Sequence, residues 1–175
     1  MDNTTGTQYQ NPSIKGLSKA VLVTGGAGYV GSHTCKHLTK NGFTPITIDR
    51  DLKPKFKPAN FGPSFDINLP QEIERLEEII KRFNISSCIH FAGSASVAES
   101  VRNPSEYYKN NVISSVVLLD KLIECGVKTF IYSSSAATYG DPGMKMCKES
   151  DWAKPISSYG ASKLMMEMIC KDYLR

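Results

Sequence analysis

The residues whose types and spacing best suit chemistry are Tyr159 and Lys163, within S-S-Y-G-A-S-K, Ser157 to Lys163. Four positions apart, they share one face of a helix. A phenol titrates at about 10 in water, too high for a base at neutral pH. A neighbouring ammonium favours phenolate. Proton transfer positioned in this way is worth about 10²–10⁴ in rate. Tyr-x-x-x-Lys also arises by chance on helices, so the pair takes its meaning from what holds it.

The first such context is T-G-G-A-G-Y-V-G, Thr24 to Gly31, which places Gly25, Gly28 and Gly31 three apart. A phosphate needs backbone N–H groups at close range and the positive end of a helix; glycine permits the turn and the approach. The pattern is G-x-x-G-x-x-G, not the G-x-G-x-x-G of standard dehydrogenases, and a plain glycine turn is the alternative. Asp49 argues against that alternative. It stands at the end of the next strand-like run, where a carboxylate accepts hydrogen bonds from an adenosine ribose. A carboxylate there would repel the 2′-phosphate of NADP, although the adjacent Arg50 could attract one. NAD is the expected cofactor.

The elements that must position these groups alternate. Short apolar runs at 20–24, 44–48, 64–67, 87–92 and 127–133 read as strands. Segments 29–40, 71–83, 104–125 and 157 onward read as helices, punctuated by Asn41-Gly42, Pro104 and Gly126. Ile73, Leu76, Ile79, Ile80 and Phe83 follow a 3.6-residue period. The alternation predicts an α/β, Rossmann-type doubly wound parallel sheet of order 3-2-1-4-5. Asp66, Phe91-Ala92-Gly93 and Ser133-Ser134-Ser135 then all fall at strand carboxyl ends, the edge where such sheets bind ligands. Core packing alone has no reason to sort residues in this way.

Composition narrows the partners. With 175 residues, 41% hydrophobic content and a net charge of +4, the chain reads as one ordinary globular domain. The densest basic group, Lys53, Lys55 and Lys57, is broken by Pro54 and Pro58 and reads as a solvated loop, not a nucleic-acid patch. No apolar run reaches membrane-spanning length. Five scattered cysteines without C-x-x-C suit reduced thiols in the cytoplasm, and His33, Cys35 and His37 lack a further ligand for a metal. Residues 1–18 read as a disordered polar tail and 19–175 as the NAD-binding domain.

T-G-G-A-G-Y-V-G-S-H, I-H-F-A-G, Y-Y-K-N-N-V, S-S-S-A-A-T-Y-G and Y-G-A-S-K, in this order, resemble the extended short-chain dehydrogenase/reductase superfamily. Within it they are similar to the UDP-glucose 4-epimerase group and relatives acting on other UDP-sugars. The resemblance implies tightly held NAD⁺, oxidation at sugar C4 with Tyr159 removing the hydroxyl proton, and return of the hydride to the other face of the 4-keto sugar. It makes Lys163 the electrostatic partner and ribose ligand, and Ser135 the hydroxyl partner, with Ser134 as runner-up. It lines the cofactor with Gly25, Gly26, Gly28, Tyr29, Val30, Gly31, Asp49, Asp66, Ile67, Phe91, Ala92, Gly93, Asn110, Ser133, Tyr159 and Lys163.

Two departures stand out. Ala95 replaces a lysine common in the epimerases, and R-D-L-K-P-K follows where the group has Asn and Ser. Family members are roughly twice as long, so the chain is expected to be a fragment or truncated product, without the substrate domain and weak in NAD binding and turnover. A nucleotide-sugar dehydratase or reductase is a second reading, weakened by Ala136-Ala137 where dehydratases carry acidic residues. A non-catalytic NAD-binding module is a third. Met165, Met166, Met168, Tyr107 and Tyr108 suit either internal packing or the homodimer face that the resemblance implies.

Overall fold

A computed structural model describes residues 19–50 and 61–174. The basic loop Lys53–Lys57 and the N-terminal segment lie outside the described residues.

Strand β1 (Ala20–Thr24) is buried along its whole length and pairs in parallel with β2 (Thr44–Asp49) on one side and β4 (Ser87–His90) on the other. Strands β3 (Ser64–Asp66) and β5 (Thr129–Tyr132) complete the order β3-β2-β1-β4-β5. A central strand buried on both faces reads as a nearly continuous apolar run, and A-V-L-V, closed by Thr24, is one. Its even side chains, Ala20 and Leu22, join Ile46, Ile48 and Cys88 under the helices α2 (Ile73–Phe83) and α5 (Ser114–Glu124). The odd ones, Val21 and Val23, pack with Cys35 of α1 (Tyr29–Lys40) on the opposite face. The expected doubly wound sheet is therefore present.

On α2, Leu76, Ile79, Ile80 and Phe83 are buried at the expected period, and Asn84 ends the helix in the left-handed conformation. The strands 64–67, 87–92 and 127–133 are shorter than their apolar runs suggested. At the carboxyl ends of β3 and β4 the chain leaves the ladder to form a site loop, whereas β5 also starts later, at Thr129.

The long helix expected over 104–125 is divided. It comprises α4 (Pro104–Tyr108), a π-helical turn (Lys109–Ile113) and α5. A further helix, α3 (Val97–Arg102), precedes it where the sequence reading assigned no element, capped by Ser96 accepting from the Glu99 N–H at 3.3 Å. Helix α6 (Ser158–Tyr173) is capped by Ser157, whose Oγ accepts from the Gly160 N–H at 3.1 Å. Tyr107 and Met166 are buried, whereas Met165 and Met168 are 42% and 59% exposed, so the aromatic and methionine group divides between core and surface. No helix among the described residues is long and apolar enough to cross a membrane.

Candidate active site

The glycine loop joins β1 to α1 under close steric constraint. Gly25 has φ of +66°, and a Cβ there would meet the Ala92 backbone N at 2.7 Å. A Cβ on Gly31 would stand 2.2 Å from the Gly25 carbonyl oxygen. Gly26 packs against the Thr47 side chain, and Gly28 is the extended residue from which α1 begins. No side chain caps that helix and no acidic residue occupies its first turn. A helix N-terminus of this kind directs backbone N–H groups and the positive end of its dipole outward, as anion binding requires. Tyr29 and Val30, in its first turn, are largely exposed.

Asp49 secures this loop. Its carboxylate accepts from the Ala27 N–H at 3.0 Å and the Arg50 N–H at 2.9 Å. A crevice of about 310 Å³ opens beside it, lined by Gly25, Gly28, Asp49, Ile67, Phe91, Ala92, Gly93 and Asn110 among the expected residues. Thr24, Ile48, Arg50, Asn68, Leu69, His90 and Ser114 line it as well, and spacing alone did not single these out for the crevice. Asp66 is exposed and is not among the lining residues; Asn68 and Leu69, just beyond it, take that edge. The crevice thus spans the carboxyl ends of β3, β2, β1 and β4.

Tyr159 and Lys163 stand along the same edge, at the end of β5. Lys163 is 5% exposed, donates to the Ser133 carbonyl at 2.9 Å and lies 4.8 Å over the Tyr132 ring and 6.0 Å from the Tyr159 ring. The Tyr159 ring meets Tyr107 edge-on at 6.4 Å. The three serines separate by role. Ser133 offers its carbonyl to Lys163, Ser134 donates to the Glu167 carboxylate, and Ser135 Oγ accepts from the Ala137 N–H at 3.2 Å. Ser134 is therefore committed to α6, and Ser135 keeps its hydroxyl proton for another acceptor.

Burial lowers the Lys163 amine from the ordinary 10.5 to about 8. Between those values the unfolded chain holds more protons than the folded one. The stability contribution is complete above the unfolded value and is lost as pH falls through about 8. Denaturant melts should show stability rising by about 2 kcal/mol from about pH 8 to about pH 10, an increment that Lys163→Met lacks.

Between crevice and pair sits Asn111, 2% exposed. Its carboxamide accepts from the Ser94 N–H at 2.7 Å and donates to the Ser94 carbonyl at 3.0 Å and to Ser162 Oγ at 3.2 Å. Asn110 faces the other way, donating to Ser94 Oγ at 2.8 Å and accepting from Arg50 at 3.4 Å. The π turn lets consecutive asparagines serve both directions, and turns of this kind concentrate at functional sites. Sequence reasoning named Asn110 and passed over Asn111. A polar side chain repeated inside an amphipathic helix was the available signal.

Residues 21–175 match the NAD dependent epimerase/dehydratase family. The chain belongs to that family. It is 36% identical over 155 residues to UDP-glucose 4-epimerase of Rhizobium leguminosarum bv. trifolii, covering 89% of this chain and 47% of that protein. The counterpart from Halalkalibacterium halodurans is 42% identical over 148 residues, 85% of this chain and 44% of its own. The crystal structure of the Brucella ovis UDP-glucose 4-epimerase in complex with NAD superposes with a TM-score of 0.83 at 38% identity, over 89% of this chain and 48% of that one. The chain therefore spans about half the length of these epimerases, and its fold is that of their matching half.

Proposed function

We propose that this chain binds NAD⁺ along the carboxyl edge of its sheet and provides the cofactor half of a UDP-sugar 4-epimerase, with glucose/galactose as the sugar pair. The observation that carries the reading is the arrangement on one edge: an uncapped glycine turn, a crevice with Asp49 at its wall, and a buried lysine beside Tyr159. A Cβ at Gly25 or Gly31 would strike the loop's own backbone, so glycines keep the turn tight and its main chain bare, which supports a dinucleotide as the ligand.

NAD⁺, when bound, supplies a hydride acceptor that later returns the hydride. The chain supplies the rest. Tyr159 takes the proton of the C4 hydroxyl as the C4–H bond is broken, and returns it when the 4-keto sugar is reduced on its other face. Lys163, held by the Ser133 carbonyl, places positive charge beside the phenol during both transfers. Ser135 donates its remaining proton to the same sugar oxygen. Asp49 receives the ribose hydroxyls while holding the glycine loop through Ala27. Exposed Met165 and Met168 on α6 supply an apolar surface for a homodimer.

The test is direct. The purified chain is examined for bound NAD⁺ and assayed for UDP-galactose to UDP-glucose conversion with and without Tyr159→Phe. Bound cofactor without turnover that depends on Tyr159 would favour a non-catalytic module; loss of water from the sugar would favour a dehydratase. Asp49→Asn should lower NAD⁺ affinity by about tenfold and narrow the preference over NADP⁺, read by titration calorimetry with both dinucleotides.

A further inference from the structure

A line of hydrogen bonds, passing through the main chain and side chain of Asn111, joins the crevice floor to the helix that carries Tyr159. The Ala92 N–H donates to Thr24 Oγ1 at 3.2 Å, and Thr24 Oγ1 meets His90 Nδ1 at 2.5 Å. His90 Nε2 meets Ser115 Oγ at 2.8 Å, and that hydroxyl donates to the Asn111 carbonyl at 2.8 Å. Asn111 donates onward to Ser162 Oγ, which donates to the Tyr159 carbonyl at 2.7 Å. Thr24, His90, Ser115, Asn111 and Ser162 are each at most 3% exposed.

The proton positions follow from the two ends. The Thr24 hydroxyl accepts from the Ala92 N–H and has its own proton available for a bare Nδ1. A carbonyl can only accept, so Ser115 gives its proton to Asn111 and must receive one from Nε2. The ring is therefore neutral with hydrogen on Nε2. Doubly protonated, it would face the Thr24 proton with a second donor. The other groups around it are the Phe130 and Tyr132 rings of β5, at 5.7 and 5.8 Å, and the Lys163 ammonium of α6, none of which offsets a second charge. Burial and Lys163 together hold its titration down at about 3.

We propose that His90 is a positioning residue, fixed as the Nε2–H tautomer, that holds the Tyr159 helix in register with the floor of the dinucleotide crevice. The inference rests on the reading of that crevice and of Tyr159 given above. It adds a part to the machinery: the strand-four histidine, at the floor of the crevice, acts on the Tyr159 helix through Ser115 and Asn111.

The test has two arms on the 175-residue chain. In the first, nitrogen-15 NMR of the imidazole should show one Nε2–H tautomer that does not titrate through the ordinary histidine range. The amide signals of Tyr159 to Lys163 should move in Ser115→Ala and His90→Phe, and stay in place in His90→Gln, whose amide nitrogen replaces Nε2–H. In the second, NAD⁺ affinity should fall by about tenfold in Ser115→Ala, a residue outside the crevice lining. Ser115→Ala changes little volume and decides the matter if the phenylalanine variant does not fold. An Nδ1–H ring, an ordinary titration, or Tyr159–Lys163 amides unmoved in Ser115→Ala would overturn the assignment. Failure of the wild-type chain to bind NAD⁺ would count against the dinucleotide reading alone, since the ring and amide signals decide this one without ligand.

Discussion

Tyr159→Phe should lower the single-turnover rate of sugar oxidation, followed as NADH absorbance with a UDP-sugar, by about 10²–10⁴ while leaving NAD⁺ binding intact. The substitution removes one oxygen and nothing else that the structure uses. The ring keeps its edge-on contact with Tyr107, and the main-chain carbonyl still accepts from Ser162. Lys163 keeps its anchor on the Ser133 carbonyl. A single-turnover measurement is the right one, because it requires only the first hydride and proton to leave C4. Equal rates for the two proteins would show that the proton leaves by another route and would remove Tyr159 from the mechanism. A matching loss of NAD⁺ affinity would instead show that the phenol acts in binding.

The second large effect is expected at the turn. In Gly31→Ala the new methyl would lie 2.2 Å from the Gly25 carbonyl oxygen and 2.8 Å from the Gly26 Cα, both backbone atoms. Neither can swing aside as a side chain would. Gly25 is already held at φ of +66° against the Ala92 backbone, so the loop has no slack to give. Overpacking of this kind costs about 1–3 kcal/mol in stability, and its strain falls on the turn proposed to hold the pyrophosphate. NAD⁺ affinity should fall by at least about a hundredfold, which corresponds to roughly 3 kcal/mol. Gly42→Ala is the control. Nothing lies within 4 Å of a Cβ there, and its φ is +78°, so it should cost about 1–2 kcal/mol in urea melts and leave the cofactor affinity unchanged.

Much of this arrangement was legible before any coordinates. The alternation of runs implied the parallel sheet, and 3-2-1-4-5 is the natural order for a doubly wound sheet. The glycine spacing, Asp49 at a strand end and Tyr159 four residues before Lys163 are local patterns, readable because helices and strands have fixed periods. The mid-helix π turn was not readable, since nothing in Y-Y-K-N-N-V-I-S-S announces an extra residue in one turn.

The sequence by itself determined the five strands, the main helices and most of the residues that reach the carboxyl edge. Tertiary structure alone decided the division of labour there. It set Asn110 toward the crevice and Asn111 toward α6, gave each of three identical serines a different partner, left Asp66 outside the lining, and enclosed His90 in a directed line of hydrogen bonds. The reason is range. Periodicity acts over a few residues, whereas Thr24 meets His90 across 66 positions and Asn111 meets Ser162 across 51. Those pairings exist only once the sheet has brought distant segments together, and a buried polar group must then find its partner there or remain without one.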